Sequence, residues 1–457
     1  MPALYNPFGG AARALKSVPG PRPLPVVGNA LSFNKPNAWT AVENWVAEHD
    51  TVCLTWILGK PVVILCDPRL VTEVLIDRRR DFYKKDPVAA LTPILTAVAP
   101  FLGNLPDWES MAAKDLPALP GFGKWLLSQS DVIRRTVAER LTALAGAGEQ
   151  PDATRVLREI SWDCWTRMAF GEDVEDGGLD DLLTLAEIAS ERLSALDEPG
   201  PEISDDRFDP TWARWVSRFE PRVAAARAAG EARGDLLGLL VEAGSDLSDQ
   251  ELAVAFGNLY FGGLFSSTTG WATGLWALTN HPDERDTLRA ALDALPAEPS
   301  FNDFVGCGPL DSAVREALRV RPPVPIYMRN TAVGTTTELG GHTLPSDTTL
   351  FISPWAMMRC PRHWTEPDAF QPGRWTDAVK DDNPYGGEWF HPFGRGARRC
   401  SAHAWGLMHI TVALATAVRD FDVQVGPGAP YASELFFAVQ APTGWTLTVT
   451  ARDRSVG

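Results

Sequence analysis

LAVAFGNLYFGGLFSSTTGWATGLWALTNHP, residues 252–282, runs without a single charged side chain. A span of roughly 20 apolar residues is enough to cross a bilayer, so a membrane helix is the first reading to test. Several features oppose it. The stretch holds Asn258, five glycines (Gly257, Gly262, Gly263, Gly270, Gly274) and six Ser/Thr between Ser266 and Thr279. Its flanks are acidic (Asp246, Asp249, Glu251, Asp283, Glu284), where a cytoplasmic membrane end normally carries Lys or Arg. A helix buried on all sides of a globular protein fits better. Ser248-Asp-Gln-Glu251 is a capping box at its start, and Asn280-His281-Pro282 stops it. The spacing therefore predicts one helix of about thirty residues, on the order of 45 Å long.

The rest of the chain supports a globular reading. Of 457 residues, 45% are hydrophobic and 22% charged, the balance of a globular protein able to bury a large core. Lys plus Arg number 42 against 58 Asp plus Glu, a net charge of -16, which argues against nucleic acid as a partner. The six cysteines (Cys53, Cys66, Cys164, Cys307, Cys360, Cys400) form no C-x-x-C pair, so neither a zinc site nor a redox dithiol is indicated. The N-terminus has no apolar core of signal-peptide length, and a cytoplasmic location with free thiols is expected.

Residues 1–30 read as a proline-rich lead-in, with PGPRPLPVVGN at 19–29 too rich in proline for helix. Thr51–Asp67 reads as a hairpin about Gly59-Lys60, and Asp67-Pro68 as a helix start. Helical patterns follow at Pro68–Arg78, Trp125–Ala147, Ala153–Phe170, Asp180–Leu196 and Thr211–Val241, with another at Leu310–Val320. Strand-like pieces lie around Thr335–Ile352. Pro354–Gly396 is an irregular stretch, long enough to suggest function, before a helix after Cys400 and a strand-rich tail.

Cys400 closes the segment Phe393-Gly394-Arg395-Gly396-Ala397-Arg398-Arg399. Its glycines let the backbone turn and approach a flat object, its arginines suit anionic groups, and they favour a thiolate. On these residues alone, a thiolate metal ligand and a structural cysteine in a Gly-rich loop both stand. The segment closely resembles the haem-ligand loop of the cytochromes P450, F-x-x-G-x-R-x-C-x-G, matched by Phe393, Gly396, Arg398 and Cys400, with Ala402 in place of the last Gly. Three more motifs follow that pattern in order and spacing. Glu316-Ala-Leu-Arg319 resembles the family's E-x-x-R helix, and Arg329 stands where the family keeps a propionate-binding arginine. Trp364-x-x-Pro367-x-x-Phe370-x-Pro372-x-Arg374 resembles the meander whose arginine joins Glu316 and Arg319 in a buried triad.

The resemblance implies a mainly α fold with small β-sheets, one large domain over 31–457, and the long helix crossing over the haem. It implies haem b, bound by Cys400 as axial thiolate, by Phe393 and Gly394 of the loop, and by Arg398 and Arg329 on the propionates. A propionate contact is also implied for Trp108, although the basic residue expected four positions on is Ala112 and Lys114 lies nearby.

On the long helix the chain departs from the family's acid–alcohol pair. Counting sixteen residues back from Pro282 places Ser266 at the alcohol position and Phe265 at the acid position. A hydroxyl can organise water and a phenyl ring relays no proton, so Ser267, Thr268, water or the substrate itself would supply the rest. Phe261, Gly262, Leu264 and Phe265 are the expected pocket wall. The neighbouring His391, His403 and His409 have the wrong spacing for a zinc cluster and read as packing residues.

Taken together, the resemblance implies a monooxygenase that inserts oxygen from O2 into a mainly apolar small molecule, in secondary metabolism. Electrons would come from a separate ferredoxin or flavodoxin with its reductase, with Arg395 and Arg399 as a docking edge. No transmembrane segment is expected. Phe265 also motivates a second reading, an atypical outcome such as coupling, desaturation, rearrangement or peroxide-driven oxidation. A non-catalytic haem-binding protein is a third.

Overall fold

The uncharged stretch folds as a single helix of 32 residues, Asp249–Asn280. The computed structural model describes residues 15–32, 39–49, 51–57, 59–83, 121–171, 177–194, 206–229, 235–243, 248–376, 387–436 and 439–452. Among these no helix is long and apolar enough to cross a membrane.

In chain order, α1 (Trp39–His49) precedes the hairpin β1 (Val52–Ile57) and β2 (Lys60–Leu65), paired antiparallel with Ile57 opposite Lys60. Asp67 then caps α2 (Pro68–Thr72), its carboxylate accepting from the Arg69 and Leu70 amides. The expected helix to Arg78 continues instead as a π turn, Glu73–Asp77, closed by Arg78 N donating to Glu73 O at 2.8 Å. After β3 (Phe82–Tyr83) come α3 (Phe122–Ser128) and α4 (Ser130–Leu144), which divide at Gln129 what the sequence reads as one helix. The helices α5 (Ala153–Phe170), α6 (Gly178–Ser194), α7 (Phe208–Ala229) and α8 (Leu236–Ala243) follow. The expected helix 211–241 is therefore two, and Asp235 starts the second by accepting from Gly238 N at 2.8 Å.

The long helix, α9, runs into α10 (Pro282–Asp293) through His281. Next are α11 (Phe301–Val305) and α12 (Gly308–Val320), strands β4 (Tyr327–Thr331), β5 (Thr337–Leu339), β6 (His342–Leu344) and β7 (Thr349–Ile352), and the short α13 (Pro354–Met357). After the irregular stretch come α14 (His403–Asp420) and strands β8 (Phe421–Val425), β9 (Ser433–Phe436), β10 (Val439–Pro442) and β11 (Leu447–Ala451). One five-stranded sheet, ordered β1-β2-β7-β4-β3, and three two-stranded ribbons are the β content of the described residues.

Two cores result. One lies on the five-stranded sheet and holds Val63, Ile64, Leu350 and Trp355. The larger surrounds α9, and its glycines explain how a helix can be central there. A Cβ at Gly257 would lie 2.4 Å from Trp215 of α7, and one at Gly263 would lie 2.0 Å from Trp165 of α5. At Gly270 it would meet Ile410 of α14 at 2.5 Å. Each glycine thus admits a large side chain from a different neighbour, the reverse of a lipid-facing surface. Hydrogen bonds complete the seating, from Trp271 Nε1 to Ser161 Oγ (3.1 Å) and from Thr269 Oγ1 to Gln440 O (2.8 Å).

The end of the chain turns back on α5. Gln150 and Leu447 exchange backbone hydrogen bonds, and Ala153 N donates to Trp445 O at 3.0 Å.

Candidate active site

Cys400 sits at the end of a tight loop between the irregular stretch and α14. Its amide donates to Phe393 O at 2.8 Å, closing the loop, and its own carbonyl is 3.0 Å from His403 Nδ1. Gly394 and Gly396 take the left-handed conformation, with φ of 73° and 70°. Gly396 has a second reason to lack a side chain, since its Cβ would stand 2.3 Å from Leu75 O in the π turn. Of the six cysteines, five are buried and Cys400 is exposed. Burial pushes the thiols of Cys53, Cys66, Cys164 and Cys307 up, Cys53 to about 12, which makes them inert.

Positive charge gathers beside this loop. Arg329, on β4, is 8% exposed and donates to Met328 O at 2.7 Å. Among the described residues no carboxylate pairs with it. Burial first, and then the neighbouring charge of Arg398, pull Arg329 down to about 10. Strand alternation puts Tyr327 on the same face as Arg329. Its buried hydroxyl has no hydrogen-bond partner. Burial raises that phenol, against the opposing pull of Arg329 and Arg395. The motifs did not single out Tyr327; its place two residues before Arg329 was the available signal. Arg395, read from sequence as part of a docking edge, donates to Thr72 Oγ1 at 2.9 Å.

On α9, the turn from Gly262 to Ser266 is the open part. Gly262 is exposed and Ser266, one turn on, is half-buried. The Ser266 hydroxyl makes only long contacts to Gly262 O (3.2 Å) and Gly263 O (3.4 Å). Ser267 and Thr268 are buried, and their hydroxyls donate to Gly263 O (2.7 Å) and Leu264 O (2.6 Å) of their own helix. Phe265 is 2% exposed, its ring 5.2 Å from that of Phe436 and under the Arg158 guanidinium at 5.4 Å. Phe261 faces Trp215, centroids 5.9 Å apart, and Leu264 is fully enclosed. Of the four residues expected to line a pocket, Gly262 therefore borders open space, while Phe261, Leu264 and Phe265 pack inward. Trp108, with Ala112 and Lys114, lies outside the described residues.

Glu316 is the hub that fixes the irregular stretch. Fully buried on α12, it accepts from Arg319 Nε (2.8 Å) and Nη2 (2.9 Å), Arg374 Nε (2.9 Å), Trp375 Nε1 (2.8 Å) and Gln371 N (2.9 Å). Arg319 in turn donates to the carbonyls of Met358, Pro367 and Ala369. A buried carboxylate is tolerated because its lone pairs are used by two guanidinium groups, an indole and an amide. His391 and His409 are fully buried, as packing residues should be, yet their ring nitrogens have no partner. Among the described residues no group of three His, Cys, Asp or Glu could hold a metal ion.

This architecture is that of the cytochromes P450, and the chain belongs to that family, whose model matches residues 18–444. Cyclooctatin synthase of Streptomyces melanosporofaciens is 27% identical over 439 residues, covering 92% of each chain. Human Cytochrome P450 3A5 is 24% identical over 441 residues, 88% of this chain and 85% of its own. The steroid 17-alpha-hydroxylase/17,20 lyase of Squalus acanthias is 28% identical over 190 residues, 40% of this chain and 36% of its own. The protein is thus a monooxygenase-type oxidoreductase carrying haem b, and its partners are a small-molecule substrate, O2 and electron-donor proteins. The residues present fit that cofactor: Arg329 without a carboxylate and the orphaned Tyr327 hydroxyl are donors suited to an anionic propionate.

Proposed function

We propose that this protein inserts an oxygen atom from O2 into a mainly apolar small molecule of secondary metabolism, with Cys400 as the haem ligand. The observation that carries the reading is the Cys400 loop, an exposed thiol among five buried ones, beside Arg329, Arg398 and Tyr327. When bound, a haem with a thiolate ligand supplies the capacity to cleave the O–O bond. The chain's own residues do the rest. Arg329 and Arg398 bind the propionates and so fix the cofactor's orientation, while Phe393 and Gly394 shape the turn that presents the thiolate.

Ser266 holds water and a movable proton at Oγ, since its hydroxyl is the one least committed to its own helix. Phe265 keeps negative charge out of the adjacent wall. The Glu316, Arg319 and Arg374 triad positions the loop through the irregular stretch. Trp108 belongs to the propionate set by resemblance alone. Residues 31–457 act as one catalytic domain after the lead-in, the setting is cytoplasmic, and electrons arrive from a separate ferredoxin or flavodoxin. A relative named for the synthesis of cyclooctatin supports a natural-product substrate.

Replacing Cys400 with Ala should abolish the thiolate-type absorption band of the reduced carbon monoxide complex. A variant that keeps the band has another ligand, and the assignment falls.

A further inference from the structure

The sequence carries 17 tryptophans, and several form a continuous line of rings that starts beside the Cys400 loop. Trp405, in the first turn of α14 and five residues after Cys400, stacks on Trp165 of α5 with centroids 4.1 Å apart and planes at 20°. Trp165 lies against Gly263 of α9. The stacked pair therefore bridges α14, which follows the Cys400 loop, and α9, which carries Ser266. From Trp165 the line passes to Tyr260 (5.8 Å) and on to Trp162 (5.0 Å). Trp215 touches both Tyr260 (6.1 Å) and Trp162 (6.3 Å), a side branch that closes back on the line.

Packing alone would use phenylalanine or leucine here, because a buried indole N–H left without an acceptor is costly. Yet Trp405 Nε1 and Trp165 Nε1 have no hydrogen-bond partner. That same feature suits charge transfer. An indole that loses an electron with no base at its nitrogen keeps its proton, so the hole stays mobile. Trp405, Trp165 and Tyr260 are 1%, 2% and 1% exposed, and Trp162 at the far end is 6% exposed. A cation is better solvated at the more open end. The Arg218 guanidinium over Trp215, at 5.8 Å, disfavours a hole on the side branch.

We propose that Trp405, Trp165, Tyr260 and Trp162 form an electron relay that drains oxidising equivalents from the cofactor when no substrate is oxidised. With hydrogen peroxide as the oxidant the balance is complete. Peroxide takes two electrons and two protons and leaves as two waters. The electrons leave Trp405 one at a time and are replaced from Trp165 and then Trp162, with Tyr260 as the ring between them that keeps its proton and is not itself oxidised. Two molecules of a soluble thiol refill Trp162, releasing two protons and joining as a disulfide. The net activity is a thiol peroxidase.

The inference rests on Cys400 as ligand, and the experiment separates the two. The haem-loaded protein is mixed with hydrogen peroxide without substrate, and ring oxidation is mapped by peptide mass spectrometry. Oxidation should concentrate at Trp162, and glutathione should suppress it while being converted to disulfide. Trp165→Phe should remove oxidation at Trp162 while leaving it at Trp405, and should speed cofactor bleaching several-fold. Trp125→Phe is the packing control, since Trp125 touches Trp405 at 5.3 Å but lies off the route. It should change neither readout. Oxidation at Trp162 that persists in Trp165→Phe, or scattered oxidation in the parent protein that shows the thiolate band, overturns the relay alone. A parent protein without that band removes the ligand assignment and the relay together.

Discussion

The rings of Phe265 and Phe436, 5.2 Å apart, both lie under the Arg158 guanidinium, at 5.4 and 4.8 Å. Burial pulls Arg158 down to about 10, only partly offset by Asp152 and Glu434, so the two aromatic faces stand in for a carboxylate. An acid introduced there meets a waiting cation. Phe265→Asn should cost about 3 to 5 kcal/mol, as expected for a lost buried phenylalanine. Phe265→Asp should cost about 1 to 2 kcal/mol less, because the new carboxylate pairs with Arg158. Denaturant midpoints of the two variants decide it, and equal losses would mean Arg158 does not engage residue 265. In the sequence Phe265 was visible as a departure from the family pattern. Arg158 was not, because nothing local marks a residue 107 positions away as its neighbour.

On α9 the glycines are graded by what they face. A methyl at Gly263 would lie 2.0 Å from the Trp165 ring, which is fixed by its stack on Trp405. At Gly274 it would lie 3.0 Å from the end of the Leu414 side chain, which can turn aside. Gly263→Ala should therefore lose about 1 to 3 kcal/mol by overpacking. For Gly274→Ala, the helix-propensity gain of about 1 kcal/mol should leave stability nearly unchanged. Thermal unfolding of the two variants tests the ordering. The helix itself was legible, since its cap, its stop and its lack of charge are local signals. The breaks at Gln129 and before Asp235 were not, because helical periodicity continues across each. The π turn at Glu73–Asp77 was equally hidden, since its partner, Gly396, lies more than three hundred residues on.

Across the whole molecule, acid is the expected weakness. Burial holds His409 at about 3, and burial with the Arg395 charge holds His391 at about 4, both below the ordinary 6.5. Unfolding lets each take up a proton at its ordinary value. Their stabilising contribution is therefore intact above pH 6.5 and is lost as pH falls from there towards 4 and 3, at up to about 1.4 kcal/mol per pH unit for each group. Melting temperatures between pH 7 and pH 5 should fall less in His409→Leu than in the parent protein; parallel curves would exclude this histidine as a source. The four motifs that mark the family were readable at this scale because each is short. The polar cluster of Tyr327, Arg329, Arg395 and Arg398 comes from two distant segments, and only the fold assembles it. The return of residues 445–447 onto Gln150 and Ala153 has a consequence for biosynthesis. A nascent chain emerging from the ribosome exposes the start of α5 for nearly three hundred residues before its covering strand is made. Compaction around the start of α5 therefore waits until residues 445–447 have emerged, and a chain stopped before them would be a substrate for chaperones rather than an enzyme.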